Sequence, residues 1–225
     1  MEIARGIKSF GYKRITEALF NYLAEASDEN IIKFLRFASR IPMVNPDNDI
    51  NKGIKYITNA FENNHPALVV ARNILTKAHP NVRKKFLENW VVNGFLLGSN
   101  KRDEYKKKYG VHVPSLIVIS PTMQCNLNCY GCYAGEYSQN HTGLSFELVD
   151  RIVTEAKEMG LRFFVISGGE AFTRKDLLDL YEKHNDSAFQ IYTNGSLLNE
   201  QTVARLAELG NVMPCISVEG FEKET

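Results

Sequence analysis

The 225-residue chain carries 27 lysine and arginine side chains against 26 aspartates and glutamates, which gives a net charge of +1. A chain so close to neutrality has no general electrostatic attraction to nucleic acid or to an anionic membrane, and we expect neither partner. Its apolar residues, 44% of the sequence, suffice for a sizeable core, yet no apolar run approaches the roughly 18 residues of a membrane span. Since no secretory signal stands at the start, we expect a cytoplasmic protein.

Residues 1–110 are predicted to form an all-helical N-terminal domain, because their apolar residues recur at spacings of three and four. Pro66 and Pro80 each stand where a further helix begins, a position at which the missing N–H of proline costs nothing. The charged run 101–108 comes next and is predicted to be a solvated helix or linker. One apolar stripe of this domain consists of Ile50, Ile54, Ile57 and Phe61.

Residues 111–225 alternate between strand and helix patterns, with helices that begin near Ser145, Leu177 and Asn199. The first strand is a β-branched run typical of a buried parallel strand. Strands joined by helical crossovers predict a parallel sheet with right-handed connections. The fold class is therefore α/β, a partial (β/α) TIM-like barrel of about four parallel strands preceded by the all-α domain. The predicted strands are 115–120, 162–167, 189–192 and 212–218.

A closed barrel of eight strands needs about 250 residues, and the strand-forming half of this chain is much shorter. The last predicted strand would also remain an unpaired edge. We therefore expect residues 111–225 to form a partial barrel that is truncated at the C-terminus, or one that a partner completes.

Three of the four cysteines fall within eight residues, at Cys125, Cys129 and Cys132. Such a tight group suits disulfides poorly, and in a reducing cytosol clustered cysteines more often bind metal or do redox chemistry. Iron–sulfur clusters are normally held by four cysteines, so a set of three leaves one iron open for chemistry. The fourth cysteine, Cys215, lies in an apolar strand and is predicted to be a small buried apolar residue.

Zinc is one alternative ligand of this loop. Structural zinc needs four nitrogen or sulfur ligands, usually in two separated pairs, and His141 could supply the fourth. No second Cys-x-x-Cys pair exists in the sequence. A second alternative is an electron-transfer protein that uses an iron–sulfur cluster alone, although such carriers usually saturate the cluster with four cysteines. Both alternatives describe a non-catalytic metal-binding protein.

Residues that are suited to binding a ligand also follow the later predicted strands. The second strand ends in Gly168-Gly169-Glu170, where two glycines permit close approach of a ligand to the main chain. The Glu170 carboxylate and nearby carbonyls could accept hydrogen bonds from an ammonium group. The third strand ends in Thr193-Asn194-Gly195 and the fourth in Ser217-Val218-Glu219-Gly220. Because parallel barrels place their active sites at the carboxyl ends of the strands, we expect one site at this rim.

These motifs, in this order, resemble the radical S-adenosylmethionine (radical SAM) superfamily over about residues 114–225. The resemblance implies a [4Fe–4S] cluster with three irons held by Cys125, Cys129 and Cys132. It implies that the fourth iron is chelated by the amino and carboxylate groups of S-adenosylmethionine. Reductive cleavage then gives methionine and a 5′-deoxyadenosyl radical that abstracts hydrogen from a substrate. An electron donor such as ferredoxin or flavodoxin is implied as a partner.

The resemblance also implies a place for each residue of the rim, with no residue identified for the later catalytic steps. Gly168, Gly169 and Glu170 would surround the methionine amino group. Ser217 and Glu219 would approach the ribose hydroxyls, and the neighbouring wall would consist of Thr193 and Asn194.

One position departs from the family pattern. The family usually has an aromatic residue immediately before the third cysteine, near the adenine, and this chain has Gly131 there with Tyr130 and Tyr133 on either side. Tyr133 is our candidate for the adenine contact. The short run Cys132-Tyr133-Ala134 resembles enzymes that modify peptides, which implies a peptide as a candidate substrate.

Overall fold

The computed structural model describes the chain in five stretches, residues 26–38, 49–63, 65–134, 143–218 and 220. The chain divides into two compact units, Met1–Leu87 and Glu88–Thr225. Among the described residues, no helix combines the length and the apolar character needed to cross a membrane.

The described residues of the first unit contain four helices. An ion pair between Arg36 and Glu62, with 2.6 Å between Nη2 and Oε1, links the first two helices. Pro66 immediately precedes the third helix in a helical backbone conformation, and Pro80 is the first residue of the fourth. The helices are α1 (Asp28–Ala38), α2 (Asp49–Glu62), α3 (Ala67–Lys77) and α4 (Pro80–Phe86).

A π-helical segment, Leu87–Leu97, leads into helix α5 (Gly98–Tyr109), and nearly all of both lies in the second unit. Two buried side chains anchor them there. Asn89 donates to the carbonyl oxygens of Asn185 and Ser187 at 2.9 and 3.0 Å, and Arg102 donates to that of Gly160 at 3.0 Å. The boundary between the units therefore lies before residue 110, where the sequence pattern changes. The charged run 101–108 predicted solvated side chains, but Arg102 is buried.

The second unit contains a parallel sheet in which chain order and spatial order coincide, β1-β2-β3-β4. This topology is that of consecutive (β/α) units in a barrel wall, and it confirms the predicted α/β fold with a partial TIM-like barrel. Most of the strand ends lie one or two residues away from the predicted ends. The strands are β1 (Leu116–Thr122), β2 (Phe163–Gly168), β3 (Ala188–Thr193) and β4 (Val212–Ile216).

In the described connections between these strands, the α-helices are α6 (Phe146–Glu158), α7 (Leu177–Lys183) and α8 (Glu200–Leu209). Local capping sets their ends. Ser145 Oγ accepts from the backbone N–H of Leu148 at 3.2 Å, and Asn199 Oδ1 accepts from that of Thr202 at 2.8 Å. Gly210 ends α8 in the left-handed region at φ 71°, a conformation that glycine adopts without steric cost.

The sheet has one covered face and one open face within the described residues. Alternate strand residues such as Phe164 and Ile191 are fully buried against the helices, while Val118 and Tyr192 on the other face are 62% and 48% exposed. The composition of β1 predicted burial on both faces of the sheet. Its side chains instead alternate between buried and exposed positions. Cys215 lies beside Tyr192 on the open face and is half-buried, and this burial raises the pKa of its thiol.

His184, at the end of α7, is a buried group that we expect to make the stability of the chain depend on pH. Its Nε2 lies 2.8 Å from Asp150 Oδ1 and its Nδ1 lies 3.2 Å from Lys157 Nζ. Burial lowers the pKa of His184, and the hydrogen bond to Asp150 opposes that shift only in part. Because the pKa of His184 is lower in the folded state, the folded chain favours the neutral imidazole. The contribution of His184 to the free energy of unfolding is therefore complete above the unfolded pKa of about 6.5 and is lost as the pH falls below it.

We expect the urea concentration at the midpoint of unfolding to decrease as the pH is lowered from about 7.5 to about 5.5. The variant His184→Gln should remove this dependence on pH. The pKa values of Asp150 and Asp186 lie below their ordinary value, so these carboxylates stay ionised across that window. The exposed His112→Gln is the matched control and should keep the dependence. A midpoint that moves equally in both variants would contradict this assignment.

Candidate active site

The carboxyl ends of β1 and β2 are joined beyond the sheet by backbone hydrogen bonds. The N–H of Gly169 donates to the Thr122 carbonyl at 2.9 Å, and the N–H of Glu170 donates to the Gln124 carbonyl at 2.8 Å. Residues 122–124 lead directly into Cys125. The Gly168-Gly169-Glu170 motif therefore holds the start of the cysteine loop in place.

The two glycines of this motif are required by the close approach of that backbone. A Cβ atom on Gly169 would lie 2.1 Å from the Gln124 carbonyl oxygen, and one on Gly168 would lie 2.3 Å from that of Thr122. Gly168 also has φ +113°, outside the range that other residues readily adopt. The sequence pattern indicated close approach of a ligand, whereas the neighbour in the structure is the chain's own main chain.

Gly169→Ala is expected to lower the free energy of unfolding of the cluster-free chain by about 2 kcal/mol, because a backbone atom must move to admit the methyl group. Urea unfolding monitored by circular dichroism would measure it. Gly131→Ala is the matched control, since nothing lies within 4 Å of its new Cβ and only φ +74° is strained, which costs about 1 kcal/mol. Equal losses in the two variants would contradict the packing explanation.

Glu170 is buried, with 1% of its surface exposed, and its carboxylate accepts hydrogen bonds from the chain itself. The backbone N–H groups of Phe172 and Asn194 donate at 2.9 and 2.8 Å, and the Thr193 hydroxyl lies 2.9 Å from both oxygens. The side chain thus ties the end of β2 to the end of β3. The carboxylate oxygens are thus engaged with the chain itself, and contact of Glu170 with an ammonium group stays a prediction.

Three polar side chains form a network at the rim, which we call the rim network: Asn126, Asn194 and Ser196. Asn194 Nδ2 donates to Asn126 Oδ1 at 3.1 Å, and Asn126 Nδ2 donates to Ser196 Oγ at 2.8 Å. The backbone N–H and the hydroxyl of Ser196 both donate to Asn194 Oδ1, at 2.9 and 2.6 Å. The sequence did not single out Asn126 or Ser196, although each directly follows a motif residue.

The three loop cysteines are free thiols with different surroundings. Cys125 is half-buried, and its sulfur accepts from the N–H of Leu127 at 3.5 Å and from Asn194 Nδ2 at 3.9 Å. Cys129 and Cys132 are exposed. Among the described residues, no three His, Cys, Asp or Glu side chains are already arranged to hold a metal ion. His141, the alternative zinc ligand, lies outside the described residues.

Three thiols on one short loop are nevertheless the donor set that an iron–sulfur cluster takes. Two of the three are exposed, and the loop turns at Gly131 in the left-handed region with open space around it. No side chain within 4 Å would obstruct the turn at that glycine. The residues therefore fit a cluster by their chemistry.

Of the remaining predicted site residues, Tyr133 and Ser217 contact the ends of β2 and β3. The Tyr133 hydroxyl is 3.4 Å from Ser167 Oγ at the end of β2, while the residue as a whole is 66% exposed. Tyr130 is fully exposed. Ser217 is exposed, and its N–H donates to the Thr193 carbonyl at 2.9 Å, so it continues the β3–β4 pairing. Glu219 lies outside the described residues.

Residues 119–225 match the family model described as "Radical SAM superfamily". This part of the chain is therefore similar to the radical SAM superfamily. The matched range contains the cysteine loop and all the predicted rim motifs.

Curated relatives are similar to about half of this chain. The AdoMet-dependent heme synthase of Methanosarcina barkeri is 30% identical over 117 residues, which are 51% of this chain and 34% of that protein. A probable GTP 3′,8-cyclase of Methanocaldococcus jannaschii is 34% identical over 123 residues, 53% of this chain and 41% of that protein. The chain thus spans well under half the length of these relatives.

A similar solved structure is that of Streptococcus suis SuiB bound to the precursor peptide SuiA. It is 26% identical to this chain, with a TM-score of 0.46, and the likeness covers 57% of this chain and 30% of that one.

Proposed function

We propose that this chain is the cluster-binding and S-adenosylmethionine-binding part of a radical SAM enzyme. In this proposal Cys125, Cys129 and Cys132 hold a [4Fe–4S] cluster, and S-adenosylmethionine occupies the adjoining rim. The observation that carries the proposal is the family match over residues 119–225, which contains both the cysteine loop and the rim motifs. When bound, the cluster supplies the electron that cleaves S-adenosylmethionine to methionine and a 5′-deoxyadenosyl radical, which abstracts hydrogen from the substrate.

The chain's own residues would bind and orient the two groups. The thiolates of the loop are soft ligands suited to iron in a cluster. Tyr133 is our choice for the adenine contact, because the residue is exposed while its hydroxyl is tethered to Ser167. The other residues that we propose around S-adenosylmethionine are Gly168, Gly169, Glu170, Thr193, Asn194, Ser217 and Glu219.

Glu170 and Thr193 would act in this site mainly by shape. Their side chains are buried and bonded to each other, so they fix the rim against which the ligand's methionine end would rest. Main-chain groups at the rim would then receive the ligand's amino group. A preorganised rim of this kind reduces the entropic cost of binding the ligand in one orientation.

Anaerobic reconstitution with iron and sulfide tests the proposal. We expect about four irons and four sulfides per chain, as a [4Fe–4S] cluster requires. We further expect S-adenosylmethionine to perturb the electron paramagnetic resonance signal of the reduced cluster. Cys215→Ala is the matched control, since it removes a cysteine outside the loop and should change neither result.

Two results would overturn the proposal in different ways. A chain that holds one zinc and is indifferent to S-adenosylmethionine would be a structural metal protein. A chain whose bound cluster shows no change in its electron paramagnetic resonance signal on addition of S-adenosylmethionine would be an electron-transfer or other non-catalytic protein. A peptide substrate, a ferredoxin or flavodoxin donor and a cytoplasmic location stay predictions.

A further inference from the structure

Asn194 is the residue of the rim that links the sheet to the cysteine loop. Its backbone N–H donates to the buried Glu170 carboxylate at 2.8 Å, so its position follows from the end of β3. Its side-chain amide reaches the loop, with Nδ2 lying 3.1 Å from Asn126 Oδ1 and 3.9 Å from Cys125 Sγ. An amide nitrogen carries two hydrogens, so it can donate to both acceptors at once.

The orientation of this amide is fixed by the residue that follows Gly195. The backbone N–H of Ser196 donates to Asn194 Oδ1 at 2.9 Å, and the Ser196 hydroxyl does so at 2.6 Å. A flipped amide would place its NH₂ group against a backbone N–H, where two donors would face each other. The nitrogen of Asn194 is therefore the atom that points toward the Cys125 sulfur.

Cys125 is distinguished from the other two cysteines by these contacts. Two N–H groups, from Leu127 and Asn194, point at its sulfur, and it is half-buried where Cys129 and Cys132 are exposed. Hydrogen bonds to a cluster's sulfurs stabilise negative charge on it, and reduction adds negative charge. Each such bond therefore raises the reduction potential of the cluster.

We propose that Asn194 is a positioning residue that holds Cys125 and raises the reduction potential of the cluster bound there. The second half of this statement rests on the proposed function, whereas the first concerns the chain without a cluster. Asn126 and Ser196 take part only by fixing the Asn194 amide. The consequence is that the three thiolates are unequal, with Cys125 as the fixed ligand of the loop.

Hydrogen exchange of the cluster-free chain tests the positioning. Asn194→Ala is expected to speed the exchange of backbone amides in residues 123–128 several-fold, while α8 stays unchanged. Gln201→Ala, an exposed change on α8, is the control and should leave the loop as it is. Unchanged exchange in the loop, or equal acceleration throughout the second unit, would overturn the positioning role.

A redox titration of the reconstituted chain, followed by electron paramagnetic resonance, tests the effect on potential. Asn194→Ala is expected to lower the reduced-to-oxidised ratio at a fixed potential about tenfold, a shift of about 59 mV for one electron. Asn194→Asp keeps the acceptor for Ser196 but turns a carboxylate oxygen toward the sulfur, so its potential should fall further.

Potentials equal to that of the wild-type chain at full iron content would overturn the effect on the cluster. A wild-type chain that takes up no cluster would overturn that effect together with the proposed function. The exchange measurement would still decide whether Asn194 positions Cys125, because it needs no cluster.

Discussion

Replacing Cys129 with alanine is expected to abolish iron retention in the anaerobically reconstituted chain, from about four irons to fewer than one. Two thiolates on the loop would remain, and they cannot hold a cubane that needs three protein ligands. Because Cys129 is exposed, the same change should shift the free energy of unfolding of the cluster-free chain by less than about 0.5 kcal/mol. Iron and sulfide assays together with urea unfolding would measure both effects.

The half-buried Cys215 provides the control, because its replacement should have the opposite effects on iron content and on stability. Cys215→Ala should keep the full iron content while it costs about 1 kcal/mol of stability, since part of its side chain packs in the sheet. A Cys129→Ala chain that retains its iron would show that Cys129 is no ligand. A chain that unfolds on this change would show that Cys129 has a structural role.

Replacing Glu170 with alanine is expected to lower the free energy of unfolding by about 3 kcal/mol or more in the chain without a cluster. The partly buried N–H groups of Phe172 and Asn194 and the buried Thr193 hydroxyl would lose their acceptor. Each orphaned buried donor costs about 1 to 3 kcal/mol. Urea unfolding would report the loss directly. The effect needs no ligand, so it separates the structural role of Glu170 from any contact with S-adenosylmethionine.

Two further variants calibrate this result. Glu170→Gln keeps the shape but places an amide NH₂ among these donors, so we expect a loss of about 1 to 3 kcal/mol. Glu155→Gln removes an exposed carboxylate whose ion pair with Arg151 spans 3.5 Å, and it should change stability by less than about 0.5 kcal/mol. A Glu170→Ala chain as stable as Glu155→Gln would rule out the brace between β2 and β3.

Much of the fold could be predicted because its determinants are local. Ser145 and Asn199 cap α6 and α8 through hydrogen bonds to N–H groups three residues ahead, which a short stretch of sequence specifies. The boundary between the two units could not be predicted in this way. It depends on Asn89 and Arg102, whose acceptors lie far along the chain.

The position of the motifs at the strand ends was predictable, but their contacts were less so. Cysteine spacing and strand-end motifs identified the rim, since parallel strands bring their carboxyl ends together. Sequence could not tell that the backbone at Gln124 packs against Gly169, or that the Glu170 carboxylate accepts hydrogen bonds from the chain itself. Both facts depend on which atoms meet across the strand ends. Asn126 was missed for the same reason, because its partner Ser196 lies 70 residues away.

The left-handed turn at Gly131 limits how this loop can be redesigned. An engineer seeking to restore an aromatic ring before the third cysteine would meet φ +74°, where a bulky side chain strains its own backbone. A saturation library at this codon, selected for folded loops, should return glycine with some asparagine or aspartate. Under the proposed function, changes to an aromatic ring near S-adenosylmethionine would instead be made at position 133, where a tyrosine already stands.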